Sequence, residues 1–140
     1  MKPELDEARS AIFDLAGVIG ASRDELPTFG HSEDMARPHV EKREGKLALV
    51  VVERGQEQHR RETEDLDELM YWVFEGVTFS MACEWELRHR VEDQDSRILL
   101  FTKQLELLER LSRRWAERYR EEKRSLLRDV GIEPGEPEPR

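Results

Sequence analysis

The stretch Asp65–Arg90, DLDELMYWVFEGVTFSMACEWELRHR, decides how this chain folds. Leu66, Leu69, Met70, Val73, Phe74, Val77, Met81 and Trp85 recur at spacings of three and four, the period of a helix. A second row, Leu69, Trp72, Phe79 and Cys83, widens the apolar arc. A helix apolar over most of its circumference belongs beneath other elements rather than on the surface. The stretch therefore predicts a core helix, capped at its start by Thr63 or Asp65. Gly76-Val77-Thr78 is its weak point, because glycine costs about 1 kcal/mol relative to alanine inside a helix. The pattern leaves open whether the helix continues through it or divides.

Upstream, Leu5, Ala8, Ile12, Leu15, Ala16 and Ile19 form an amphipathic stripe that predicts a helix over 3–19, stopped by Gly20. Two prolines and a glycine mark 21–38 as a loop, with one helical turn at Arg23–Leu26. His39–Arg43 reads as a short strand and Glu44-Gly45 as a turn. In Lys46–Arg54 the run LALVVV, six apolar residues in a row, reads as a strand in the middle of a sheet. After Gly55, Gln56–Thr63 has no apolar residue, which fits an edge strand guarded by charge. A three-stranded antiparallel meander is expected.

Downstream, Asp93 or Asp95 is placed to cap a helix carrying Ile98, Phe101, Leu105, Leu108 and Leu111. Ser112 caps a further helix with Trp115, Tyr119, Leu126 and Leu127 on its apolar side, ended by Gly131. The fold class is α+β: an N-terminal helix, a small antiparallel sheet, and about three helices packed around the central apolar one. Residues 1–130 read as a single domain, and the acidic, proline-rich 131–140 as a disordered tail.

The chain of 140 residues carries a net charge of −9. Residues 1–34 and 65–92 each hold −5 of it, so the acid is concentrated in the first quarter and around the core helix. Nucleic acid is a poor partner for such a surface, since phosphate binding needs a basic footprint. A basic protein is a good one. The start, MKPELDEARS, has no apolar leader core, and no apolar run approaches the roughly 20 residues of a membrane span. A soluble, cytoplasmic protein that does not engage membranes is expected. Cys83, the one cysteine, reads as a structural thiol on the apolar helix.

No constellation of residues announces catalysis. Glu86 and His89 stand at the Glu-x-x-His spacing of half a di-iron carboxylate site, but no second such pair exists. The four histidines show no metal-ligand spacing with Cys83. Neither Ser80 nor Ser96 sits in a nucleophile elbow, and the glycines stand singly, with no phosphate-cradling loop. No catalytic residue, cofactor or metal is expected. What remains is a polar strand and its turn. Glu53, Arg54, Glu57, His59 and Arg61 are the candidate partner-binding residues, with Asp34 from the long loop and Trp72 as an aromatic anchor. A plain charged edge strand accounts for the same residues equally well.

Several ordered blocks then resemble a known family. LPTFG (26–30), ARPHVE (36–41), VVVERGQE (50–57), DLDELMYWVFEGVTF (65–79), ELRHRVEDQDSR (86–97) and LFTKQLELLERLSRRWAER (100–118) are similar to the bacterial immunity protein 63 family, over about residues 12–125. The resemblance implies a small cytoplasmic α+β protein, encoded beside a secreted polymorphic toxin, that binds and neutralises that toxin. It carries over no catalytic residue. The apolar LALVVV departs from the family's more polar central strand, which bears on which strand face meets a partner. The implied partner is the cognate toxin domain, possible targets including a basic nuclease, with the chain a monomer or weak homo-oligomer. A different class, a self-associating scaffold built on the mixed-charge final helix, is the alternative.

Overall fold

The computed structural model describes residues 3–33 and 37–132. Asp34 and all of the tail beyond Ile132 lie outside the described residues. The chain divides into two compact units, Met1–Val77 and Thr78–Arg140. The core helix, α2 (Leu66–Arg88), runs unbroken through the division.

The first unit begins with α1 (Leu5–Ile19), which buries Ala8, Ile12, Ala16 and Ile19. Gly20 ends it at φ +71°, and Ala21 donates to the Ala16 carbonyl at 3.0 Å. That left-handed closure is one glycine adopts without steric cost. A 3₁₀ turn at Arg23–Glu25 follows, where Glu25 Oε1 accepts from both the amide and the hydroxyl of Ser22.

Among the described residues the sheet has four strands, in the order β1 (Thr28–Phe29), β2 (His39–Arg43), β3 (Lys46–Glu53), β4 (Gln56–Thr63). The meander β2–β3–β4 is antiparallel, as the turns predict, with the LALVVV strand in the middle. The expectation of three strands needs correction, because β1 pairs parallel to β2. Thr28 donates to the Pro38 carbonyl and Gly30 to that of Val40. Two residues are too few to show a period, so the loop reading missed them. Arg37 fixes this segment, donating to the carbonyls of Arg23 and Leu26.

Both hairpins turn on two residues at positive φ: Glu44 (52°) with Gly45 (80°), and Arg54 (55°) with Gly55 (75°). Such turns match the twist of the strands they join, and they favour Asn-Gly. Glu44 and Arg54 therefore hold a left-handed conformation that costs a non-glycine residue roughly 1 kcal/mol.

Asp65 starts α2, its carboxylate accepting from the Asp67 amide at 3.0 Å, while Thr63 accepts from Asp65 itself. The helix is one continuous element and does not stop at Gly76. In its first half Leu69, Met70, Tyr71, Val73, Phe74 and Val77 are buried.

The second unit holds the rest of α2 with α3 (Ser96–Leu111), α4 (Arg113–Glu122) and α5 (Arg124–Asp129). Asp95 caps α3 and Ser112 caps α4. The single final helix read from the sequence is divided at Lys123, whose backbone leaves the helical region at φ −106°, ψ 17°. Its apolar side persists across the break. Phe101, Leu105, Leu108, Ala116, Tyr119, Leu127 and Val130 form one core, with Ile132 packed against it. Within that core Tyr119 donates to Gln104 Oε1 at 2.7 Å, and Gln104 Nε2 donates to Thr78 Oγ1 at 3.2 Å.

Candidate protein-binding surface

The polar strand singled out above is β4, an edge of the sheet whose outer flank pairs with no strand among the described residues. Its register on β3 decides which side chains share a face, because paired residues point the same way. Leu47, Leu49 and Val51 pair with Thr63, Arg61 and His59. This is the helix-bearing face. Lys42 on it binds Glu4 at 2.6 Å, and Phe29 on it packs against Phe13 of α1, ring centroids 5.8 Å apart. Arg61 lies over the Trp72 ring of α2, 4.6 Å from its centroid. Trp72 is half-buried beneath that guanidinium, and its indole Nε1 is buried with no hydrogen-bond partner.

The other face is charged. Ala48 and Val50 point into it from β3, paired with Glu62 and Arg60 on one side and with Glu41 and His39 on the other. Arg60 Nη2 reaches Glu41 Oε1 at 2.6 Å, so the ion pair passes over β3 above Ala48 and Val50, both fully buried. Only small or branched residues leave room for it. Glu41 gathers further cations: His39 Nε2 at 3.6 Å and Arg43 Nη2 at 3.7 Å.

Glu57 joins the same network through a close contact with Arg60. In a regular strand residues three apart point to opposite faces. The register shifts between Val51 and Val52, where His59 and then Glu57 take successive partners and Gln58 is left over. This β-bulge turns Glu57 onto Arg60's face. The Arg60 hydrogen bonds hold the Glu57 carboxyl below the ordinary carboxylate range. They also raise the Arg60 guanidinium, with Glu41 contributing.

The candidates drawn from sequence thus fall into three groups on one hairpin. Glu53 and Arg54 are at its exposed tip. Glu57 is on the charged face. His59 and Arg61 are on the helix-bearing side, where Arg61 meets Trp72. Sequence reasoning missed Glu41, Arg43 and Arg60 as members of the network. Strand alternation could have paired Arg60 with Glu62; the bulge that adds Glu57 has no signature in the sequence.

The other motif weighed for chemistry is placed differently from a ligand pair. Glu86 is 4% exposed and receives two hydrogen bonds from Arg90, which hold its carboxyl below the usual range. His89 stacks on Trp85, ring centroids 4.1 Å apart. The described residues contain no group of three or more His, Cys, Asp or Glu side chains placed to share a metal ion. Burial pushes the Cys83 thiol up, with the Glu86 charge adding to it. Among the described residues, no helix is long and apolar enough to cross a membrane.

The described fold is an α+β one with a charge-patterned sheet that ends on β4. The chain belongs to the immunity protein 63 family, whose model matches residues 44–125, more than half of its length. The match takes in the β3–β4 hairpin, α2 and α3, and begins after the LPTFG and ARPHVE blocks. No curated protein and no solved structure matches the chain.

Proposed function

We propose that this protein is the immunity partner of a bacterial polymorphic toxin, binding the toxin domain in the cytoplasm and blocking it without catalysis of its own. Family membership supports the role, and the β3–β4 hairpin is the observation that carries the mode of action. Its tip and edge are exposed, while its charges are already ordered by ion pairs on a rigid sheet. Preordered groups lose less entropy on docking than free ones. The net charge of −9 favours a basic toxin, a nuclease being the chemistry that fits, because opposite charge speeds encounter. Glu53, Arg54 and Glu57 make the first contacts in this reading, with His59, Arg61 and Trp72 behind them; Asp34, the remaining candidate, lies outside the described residues. In this reading the chain acts as a monomer or weak homo-oligomer, with residues 1–130 as one domain.

The test is co-expression with the toxin domain encoded beside this gene. Growth rescue and a co-purifying complex are expected; arrest despite soluble expression overturns the proposal. With the complex in hand, Glu53→Lys combined with Glu57→Lys should slow association about tenfold or more and flatten its salt dependence. Unchanged kinetics would move the interface away from the hairpin.

A further inference from the structure

The outer flank of β4 pairs with no strand among the described residues, and the turns fix which backbone groups point into it. Arg43 and Lys46 flank a two-residue turn and so exchange both hydrogen bonds. From there the direction alternates along β3: Lys46, Ala48 and Val50 bond toward β2, and Leu47, Leu49 and Val51 toward β4. The partners of the second set, Thr63, Arg61 and His59, therefore turn their amides and carbonyls inward. Arg60 and Glu62, between them, turn theirs outward. The bulge at Gln58 interrupts the alternation, so the regular edge is 59–63.

Charge guards an edge only where it stands over it. Here Arg60 is drawn back across β3 to Glu41, and Arg61 lies over the Trp72 ring of α2. The strand holds neither lysine nor proline, the residues that most often block an edge. Two exposed charges on it remain unanswered. Among the described residues Arg61 meets no carboxylate. Glu62 accepts no hydrogen bond, its one cationic contact being Arg60 Nη1 at 3.9 Å.

A second copy of the chain is a poor occupant for this edge. Antiparallel copies related by a two-fold axis set one residue of the strand opposite itself. At the three central positions, Arg60, Arg61 and Glu62, that residue is charged, and like charges directly opposite each other are unfavourable. An unlike strand can answer both open charges. We infer that β4 takes up an extended segment of the toxin domain as a further strand, bonded through the backbone of Arg60 and Glu62, with a basic residue opposite Glu62 and an acidic one opposite Arg61. The inference rests on the immunity reading and gives the hairpin's contact its form.

The experiment follows backbone amide exchange of the full-length protein by NMR, alone and bound to the toxin domain encoded beside the gene. In the complex the Arg60 and Glu62 amides should exchange about tenfold or more slowly, while those of His59 and Arg61, already bonded to β3, change less. Glu62→Pro removes an outward amide and no bond to β3, so it should weaken binding about tenfold or more with unchanged circular dichroism. Glu62→Thr, which keeps the amide, should weaken it less. Equal losses for the two variants would overturn the inference, since the charge and not the backbone would then carry the contact. A complex in which the Arg60 and Glu62 amides exchange as fast as in the free protein rules out strand addition while the immunity role stands. Protection that appears without the toxin domain, together with a dimer on sedimentation, gives the edge to a second copy, and the inference fails. A wild type that forms no complex overturns both readings.

Discussion

The two units each hold a polar network, and the two are built on opposite terms. Around the sheet, Glu41, Arg60 and Glu57 are linked by charge across three strands, with water still reaching them: Arg60 is 18% exposed and Glu57 47%. In the helical unit, Thr78, Gln104 and Tyr119 are joined by neutral hydrogen bonds, and all are nearly or wholly inaccessible. Ion pairs that water still reaches contribute modestly to stability, because water screens them and the side chains lose freedom in meeting. Buried neutral bonds also contribute modestly when made, but leaving one half-made costs the desolvation of the stranded group. The first network therefore sets the charge pattern of that face of the sheet. The second fixes how the helices register.

The contrast predicts its largest effect at Gln104. Gln104→Leu should lower unfolding free energy by about 1–3 kcal/mol in urea titration. Adding Tyr119→Phe and Thr78→Val should recover part of that, since the groups that bonded to Gln104 are then removed with it. If the triple variant is no better than the single one, the loss is one of packing, and the comparison between networks breaks.

Gly76→Ala comes next. The site is exposed, a Cβ there meets no atom within 4 Å, and its φ is not positive. A gain of about 1 kcal/mol is expected. Because α2 runs through both units, it should appear as a shift of one cooperative transition; a gain confined to one of two transitions would mean that the units melt separately.

At the hairpin tip, Arg54→Asn should relieve the left-handed strain and stabilise by about 0.5–1 kcal/mol in the same titration. A simultaneous loss of toxin affinity would show that the strained residue is retained for binding. On the charged face, Arg60→Met should cost less than about 1 kcal/mol, well below Gln104→Leu. A larger cost would show that the network braces the sheet.

The smallest effect is at the α3 cap. Arg97's side chain and amide hold the Asp95 carboxyl down to about 2 from an ordinary 3.8. Since the folded value is the lower one, this contribution is complete above the ordinary value and fades as pH falls through about 2. Acid titration of Asp95→Asn, which keeps the cap without the charge, should show a shallower decline there than the wild type.

Much of this architecture is readable from residues with strong local rules. Gly20, Glu44-Gly45, Gly55 and Ser112 mark boundaries because turn and cap geometry is set by one or two side chains. LALVVV and QEQHRRET gave the middle and edge of the sheet from burial pattern alone. What escaped depends on partners distant in sequence. Thr28 and Phe29 become a strand only because β2 offers them an edge. Gln104 carries no signal of its own in the sequence, since Thr78 and Tyr119, 26 residues before it and 15 after, supply its meaning. The candidate surface was legible as a segment but not as faces, because alternation along β4 is interrupted where Gln58 is left over.

That leftover residue also marks a place where the strand can change length by one. Without Gln58, Glu57 and His59 would follow one another along Val52 and Val51 as in a regular ladder, so Glu57 would stay on the face of Arg60 and only the bend of the bulge would be lost. The hairpin can therefore lose one residue at this point while Leu47–Val51 keep their pairing.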